Sequence, residues 1–380
     1  MFTNFANQTE EEKTIWSMGV WKQARDRSFT AKFEGTEATN MIQRITELKQ
    51  TEKGARAVIT LIHDLEGDGV AGDRTLEGNE EAMTSSDQVI DVDQLRHAVL
   101  HEGAMANQRS VVNFRLQSRD KLAYWLANRW DQMAFLHLSG ISYAYTTRGA
   151  LRGTTAQNPL SSQLQLLKFA ADAAKPLTAN RQFQWDATNG LLRAGQAGFG
   201  NANIVAADTP TYEMVLAAKT AAENSYLQPI YSKGGIEHFN MFMTPDGIKA
   251  LKMDPDFKAA YKDALPRSAD NPLFKGTDVI WLDGIAIYPH KMTFNNRNAP
   301  AGSKWGAGGA VDGQRIIVAG AQALAKADIG RPKWVEKEFD FENKPGISAG
   351  KMCGLLRPQF KGVDSGLLED FGSFVIDTAL

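Results

Sequence analysis

Residues 113–140 read NFRLQSRDKLAYWLANRWDQMAFLHLSG, and between Leu116 and Leu138 they hold neither glycine nor proline. Leu122, Trp125, Leu126, Trp130, Met133 and Leu136 recur at helical spacing and make one apolar stripe, while Arg115, Arg119, Asp120, Lys121 and Asp131 fall largely off it. At the helical rise per residue this helix is roughly 35 Å long. Gly140 ends it. The arginines Arg115, Arg119 and Arg129 read as its solvated face rather than as contacts to DNA.

Upstream, residues 93–112 (DQLRHAVLHEGAMANQRSVV) read as helix-rich too. His97 and His101 lie four apart there with Glu102 adjacent, and on a helix both rings share a face. Zinc hydrolases of that spacing carry a glutamate directly after the first histidine, to act as general base, but this chain has Ala98. Two surface histidines is the plainer reading. Further back, Val58 to Ile62 is β-branched and apolar and reads as a strand, and Val89, Ile90 and Val92 suggest its return partner. Between them lies DLEGDGVAGDRTLEGNEE, residues 64–81, which nearly spells a calcium loop. In that register the twelfth residue is Thr75, where a bidentate glutamate is required, and strands flank the loop where helices belong. The stretch reads as a solvated hairpin tip whose glycines supply positive φ.

Met41, Ile42, Ile45 and Leu48 suggest a short helix or turn that Gly54 breaks. Near the start, Thr9 with Glu12 forms a capping box, and Ile15, Trp16, Val20, Trp21 and Ala24 follow at helical spacing. Two readings stay open for this helix: an arm that docks on a partner, or a terminal helix packed on its own domain.

Downstream of Gly140, residues 141–205 read as long connections with a helical patch near Ser162 to Ala174. An α/β segment follows. Thr211 to Asn224 is helical, and residues 238–266 give a strand, a turn at Pro245 and Gly247, and a helix. Two strands flank Asp283–Gly284, a hairpin signal. Residues 315–329 (RIIVAGAQALAKADI) read as a buried strand, and 346–362 and 371–380 as further strands.

The 380 residues, 43% hydrophobic and 23% charged, suit a soluble globular chain of one large or two ordinary domains. The net charge of −2 supplies no global field for holding nucleic acid. Cys353 is the single cysteine, so no intrachain disulfide or cysteine-rich zinc site can form. The N-terminus does not read as a secretory signal, and no apolar run is long enough to span a membrane. Gly346-Ile-Ser348-Ala-Gly350 matches a nucleophile elbow, yet Glu342, Asn343, Lys344 and Pro345 precede it where an apolar strand is needed. The last histidine is His290, so no base follows the serine, and the stretch reads as a turn joining two elements. The glycine-rich stretches 195–203 and 306–315 lack the Gly-Lys-Ser/Thr of a phosphate loop.

In their order, these segments resemble the major capsid proteins of tailed bacteriophages, the Hong Kong 97 fold in its podovirus coat branch. ATNMIQRITELKQTEKGARAVITLI (38–62) resembles the end of that family's N-terminal arm running into its extended loop, and residues 75–109 the returning strand. Residues 113–140 are similar to its spine helix, 239–264 and 282–292 to its apical domain, and 340–379 to its closing strands. The resemblance covers nearly the whole chain. It implies an α+β fold divided as arm (1–53), extended β-hairpin loop (54–93), peripheral domain with spine helix (94–205), apical α/β domain (206–330) and C-terminal strands returning to the peripheral domain (331–380).

It also implies a role: a shell subunit forming pentamers and hexamers that close into an icosahedral virion head around double-stranded DNA, assembled in the host cytoplasm. No catalytic, cofactor or metal residue is expected, and no membrane. A separate scaffolding protein and a portal protein are the expected partners, because the arm starts within the first dozen residues and leaves no room for a cleaved scaffold segment. The extended loop reaches over a neighbouring subunit in this family, so Glu66, Gly67, Asp68, Gly69, Asp73 and Arg74, with Trp16 and Trp21 of the arm, are the residues expected at subunit contacts. Two alternatives remain: an encapsulin-like nanocompartment shell, and a metal-dependent hydrolase using His97, His101 and the acidic loop.

Overall fold

The computed structural model describes residues 10–46, 56–62, 67–81, 85–109, 114–154, 162–195, 200–225, 227–231, 235–264, 279–341, 343–361 and 367–380. Its helices are α1 (Glu10–Arg27), α2 (Ala104–Arg109), α3 (Phe114–Leu138), α4 (Ala170–Ala174), α5 (Tyr212–Asn224), α6 (Pro245–Met253) and α7 (Pro255–Ala264). The first strands are β1 (Glu34–Gly35), β2 (Ile42–Ile45), β3 (Arg56–Ile62), β4 (Ser85–Asp91), β5 (Asp93–Leu100), β6 (Gln182–Asp186), β7 (Leu191–Ala194) and β8 (Ile230–Tyr231). Then come β9 (Glu237–Met243), β10 (Ile280–Leu282), β11 (Ile285–Pro289), β12 (Gly313–Ala319) and β13 (Leu324–Phe339). The last are β14 (Lys344–Leu356), β15 (Gln359–Lys361), β16 (Leu368–Asp370) and β17 (Ser373–Ala379).

Local chemistry explains the boundaries. Thr211 caps α5 by accepting from the Met214 amide at 3.3 Å, and Thr244 caps α6 by accepting from Gly247 at 3.1 Å, with Pro245 at the first helical position. Asp254 leaves the helical region and Pro255 restarts it, so the expected single helix after β9 is two, α6 and α7. Asp283 and Gly284 take φ of 45° and 78°, the two-residue turn that joins β10 to β11 as expected.

Two sheets carry the architecture. One has the order β1-β2-β13-β14-β5; the other runs β10-β11-β9-β12-β17-β6-β7, with β8 beside β9. Helices α1 and α3 lie on the first sheet, through contacts with β13 and β14. The second sheet is buried on both faces. Ile316, Val318, Phe374 and Ile376 face one core with Met214, Val215 and Leu251 of α5 and α6. Ile317, Val375 and Phe242 face the other, which holds Leu126, Trp130 and Met133 of α3.

Tertiary context overrides several sequence readings. Ile42–Ile45 is not a short helix but strand β2, because it pairs parallel with β13 from Leu324 to Ala327; Leu48 and Gly54 lie outside the described residues. Asp93–Leu100 is strand β5, not helix, held by its antiparallel register on β14. The connections expected across 141–205 contain β6 and β7, and β6 pairs parallel with β17. Residues 315–329 form parts of two strands, β12 and β13, which enter different sheets. Ser348 sits inside β14, paired to Val335 and Ala98, so the elbow-like motif is neither an elbow nor a turn. The final strand β17 lies in the second sheet between β12 and β6. Asp131, expected off the apolar stripe, is buried.

The end of α3 ties the two sheets together. From Met133 to Ser139 every residue is buried, and Gly140 turns the chain with φ of 62°. Arg357, just after β14, donates to the His137 carbonyl at 2.9 Å, and Arg315 of β12 donates to the Ser139 carbonyl at 2.7 Å. Ser139 lies one residue beyond α3, and the His137 carbonyl accepts from the Gly140 amide as well, at 3.1 Å. Each guanidinium also meets a buried carboxylate: Arg315 binds Asp377 through two nitrogens at 2.7 and 3.0 Å, and Arg357 binds Asp370 at 2.9 Å.

Candidate assembly surfaces

Strands β3 and β4 pair from Arg56↔Asp91 to Ile62↔Ser85. Their alternation divides the ribbon into two faces. Ala57, Ile59 and Ile90 are buried against Ala325, Ala327, Ile329 and Leu356 of the first sheet. Val58 and Val89, on the opposite face, are 50% and 46% exposed. The ribbon therefore has more to bury in its own subunit than its polar loop suggested. The loop from Gly67 to Glu81 is exposed apart from half-buried Val70. The Gly67 amide donates to Glu81 at 2.7 Å, the Gly78 amide donates to Glu80 at 2.7 Å, and Asn79 donates to the Thr75 carbonyl at 3.0 Å. Gly69 and Gly72 take φ of 72° and 69° with open space where a side chain would be, so backbone conformation alone calls for glycine. Gly67, Asp68, Gly69, Asp73 and Arg74 thus share one solvated tip; Glu66 and Asp64 lie outside the described residues.

The N-terminal helix α1 packs on its own subunit. Val20 and Ala24 are buried between α3 and β13, and the Ser17 hydroxyl donates to the Pro332 carbonyl at 2.5 Å. The Trp16 ring stacks on Trp334 at 6.0 Å, with the Arg115 and Arg119 guanidinium groups 4.4 and 5.3 Å from its centre. The Trp21 ring carries the Lys351 ammonium at 3.8 Å. Both tryptophans, expected at a subunit contact, are half-buried within the subunit. Thr9, the expected cap, lies outside the described residues.

After α1 the chain is clipped to α3 by Asp131. This carboxylate accepts from the Ser28 hydroxyl (2.7 Å), the Phe29 amide (2.9 Å), the Thr30 amide (3.1 Å) and the Thr30 hydroxyl (2.8 Å). Phe29 then stacks on His290 at 4.1 Å, and His290 stacks on Phe135 at 4.9 Å. Burial pushes the His290 pKa down to about 4 and that of His137 to about 3, the latter helped by the nearby Arg357 cation. Sequence reading missed Asp131, Lys351, Arg315 and Arg357. A signal existed for Arg315 and Asp377, each the one charged residue of its strand.

The residues singled out for chemistry are dispersed. His97 projects from β5 and stacks on Trp125 at 4.7 Å, while His101 meets the Phe114 ring edge at 4.6 Å. The pair does not share a helix face. Among the described residues no three His, Cys, Asp or Glu side chains converge as a metal site requires. Ser348 donates to the Val335 carbonyl at 3.3 Å, and the buried Cys353 thiol is pushed up to about 12 by desolvation.

What remains is a set of surfaces on a two-sheet body, and known proteins are built the same way. A family model described as phage capsid protein matches residues 4–380. The chain is 51% identical over 372 residues to a major capsid protein of Pseudomonas phage KPP25, covering 98% of this chain and 96% of that relative. The chain belongs to the phage capsid protein family. Its role is that of a phage major capsid protein, a subunit of a multimeric virion shell. Among solved structures, the capsid of Ralstonia phage GP4 matches with a TM-score of 0.71 at 22% identity, over 92% of this chain and 90% of that one. The cyanophage Pam1 capsid matches with a TM-score of 0.69 at 19% identity, over 93% and 92%. These likenesses show the fold of this capsid protein to be of the Hong Kong 97 type, as the order of its segments implied. Membership in the phage family sets aside the encapsulin-like alternative.

Proposed function

We propose that this capsid protein forms pentamers and hexamers that close into an icosahedral head around double-stranded DNA, and that its work is mechanical, with no catalytic residue. The observation that carries the reading is identity to a phage major capsid protein along 98% of the chain. The geometry supports it: a ribbon with one packed face, a solvated tip and a body whose titratable side chains are scattered. In this reading α1 is the arm, β3 and β4 the extended loop, α3 with the first sheet the peripheral domain, and the second sheet with α5 to α7 the apical domain. DNA is enclosed without sequence-specific contacts, consistent with the net charge of −2; a shell gripping phosphates would bind with steep salt dependence. A scaffolding protein and a portal complete the assembly, which takes place in the host cytoplasm.

Electron microscopy of the expressed chain, with and without co-expressed scaffold, tests this. Closed shells with five- and six-fold capsomers are the expected result. A chain that stays monomeric by light scattering across salt and concentration, scaffold included, overturns it.

A further inference from the structure

A basic groove lies beside the arm helix. Lys22 and Arg25 project from α1, Lys32 comes from the turn after it and Arg331 from β13, and together they line a groove of about 510 Å³. Among the described residues its lining sets these four cations against one carboxylate, Asp26. Lys22, Arg25 and Lys32 are exposed and make no ion pair among the described residues. Elsewhere in the same half of the molecule the cations are matched: Lys326 meets Glu34, Lys351 meets Asp328 and Arg357 meets Asp370.

An irregularity in β13 brings Arg331 to the groove. The register of β13 on β14 shifts between Ile329 and Lys333, so Gly330, Arg331 and Pro332 stand opposite Lys351 alone. Gly330 takes φ of 58° there. The Lys351 ammonium donates to the Gly330 carbonyl, and the Ser17 hydroxyl of α1 donates to that of Pro332. The arm helix is thus fastened to a bulge that leaves Arg331 exposed.

Resting on the shell-subunit reading above, we infer that the groove takes backbone phosphates of double-stranded DNA, and that the bound duplex holds the arm helix to β13. One run of phosphates in the groove meets cations from α1, from the turn after it and from β13, so it links segments that the chain itself joins only through some 300 intervening residues. A ligand that binds only the docked arrangement stabilises it. The duplex concentrates more negative charge per unit length than a single strand. A single strand also gains nothing from stacking, because the Trp21 ring already carries Lys351 at 3.8 Å and Arg25 at 6.0 Å. The contact therefore reads no sequence. An acidic protein segment fits less well: Met18, 48% exposed, is the one large apolar side chain the lining exposes, and a peptide has little else to anchor on.

Full-chain subunits titrated with a short fluorescent duplex test the inference. Three neutralised phosphates give a slope of about 3 in log affinity against log salt, so binding should weaken about sixtyfold between about 50 and 200 mM. With duplex bound, hydrogen exchange of the α1 amides should slow about threefold. Lys22→Gln with Arg25→Gln should weaken binding about tenfold at the lower salt and cut the slope by about 2, with thermal unfolding unchanged. Arg331→Gln repeats the test from a different element: it should cut the slope by about 1 and remove the slowing of exchange in α1. Parent-like binding by both variants overturns the inference, and so does α1 exchange that the duplex leaves unaltered. A polyglutamate of matched charge that binds as tightly, and is lost with the same variants, assigns the groove to an acidic protein segment and overturns it as well. The measurement needs no shell. Heads that fill with DNA while free subunits bind no duplex sink this contact and leave the shell reading standing; duplex binding by a chain that never closes shells does the reverse.

Discussion

Between Gly67 and Glu81 the chain places five carboxylates and one guanidinium in solvent; between Met133 and Ser139 every residue is buried, and two guanidinium groups are buried with them. The same chemistry serves opposite ends. At the tip, charge stays hydrated, is screened by salt and contributes little to folding. It is therefore available to another molecule. At the end of α3, charge is desolvated and matched at once to a carboxylate and to carbonyls there. Such a pair is weak evidence of net stability, but removing one member leaves the other buried and uncompensated. The comparison implies that folding and assembly are separable by mutation.

The largest effect is expected where this separation is sharpest. Arg315→Met leaves the Asp377 carboxylate buried with Gln182 and Asn201 as its remaining donors, and should cost about 3–5 kcal/mol in urea unfolding. Arg315→Met combined with Asp377→Leu should recover much of that. A loss under about 1 kcal/mol from the single change would break the contrast between the two regions. Next comes Asp131→Ala, which strands the Ser28, Phe29 and Thr30 donors. It should cost about 2–3 kcal/mol and speed tryptic cleavage after Arg25 and Arg27, while an unchanged cleavage rate would show that the aromatic stack of Phe29 holds the arm unaided.

A comparable but graded effect is expected from acid. His137 and His290 have folded pKa values of about 3 and about 4, below the ordinary 6.5. Each is neutral in the folded chain where the unfolded chain already binds a proton. Their contribution is present in full above pH 6.5 and is lost as pH falls from there toward 4 and then 3. The slope approaches about 1.4 kcal/mol per pH unit for each histidine. His137→Gln should flatten the pH dependence of the melting temperature in that window, and an unaltered slope would place the acid sensitivity elsewhere. The smallest effect on folding should come from replacing Gly67 to Asp73 with a short Gly-Ser turn. Subunit stability should move by no more than about 0.5 kcal/mol, yet shells should be lost or deformed. Normal heads from this variant would show that the tip is not a subunit contact.

Where local pattern and burial agreed, sequence reading and structure coincide. The apolar stripe of α3, the β3–β4 ribbon and the turn at Asp283–Gly284 are all short-range features with one strong periodicity or one residue pair behind them. Where long-range pairing decided, it did not. Ile42–Ile45 is a strand because Leu324–Ala327 lies beside it, some 280 positions away in the chain, and no local propensity carries that information. The same holds for β5 on β14 and β6 on β17. A polar tip could be recognised from composition, since solvated glycines and carboxylates announce themselves. The groove could not, because Arg331 reaches it from β13 and Lys32 from beyond α1.

The sequence by itself determined the long helix α3, the β3–β4 ribbon, the turn at Asp283–Gly284 and, through the order of its segments, the capsid family. Each of these depends on residues within a turn or a strand of one another, or on their linear succession. Only the tertiary structure decided what the charges do. Asp68 and Asp131 are the same residue type, yet one lies in solvent and the other accepts four hydrogen bonds from the turn after α1. Desolvation and the donors brought up from a hundred positions away make that difference, and both exist only once the chain has folded.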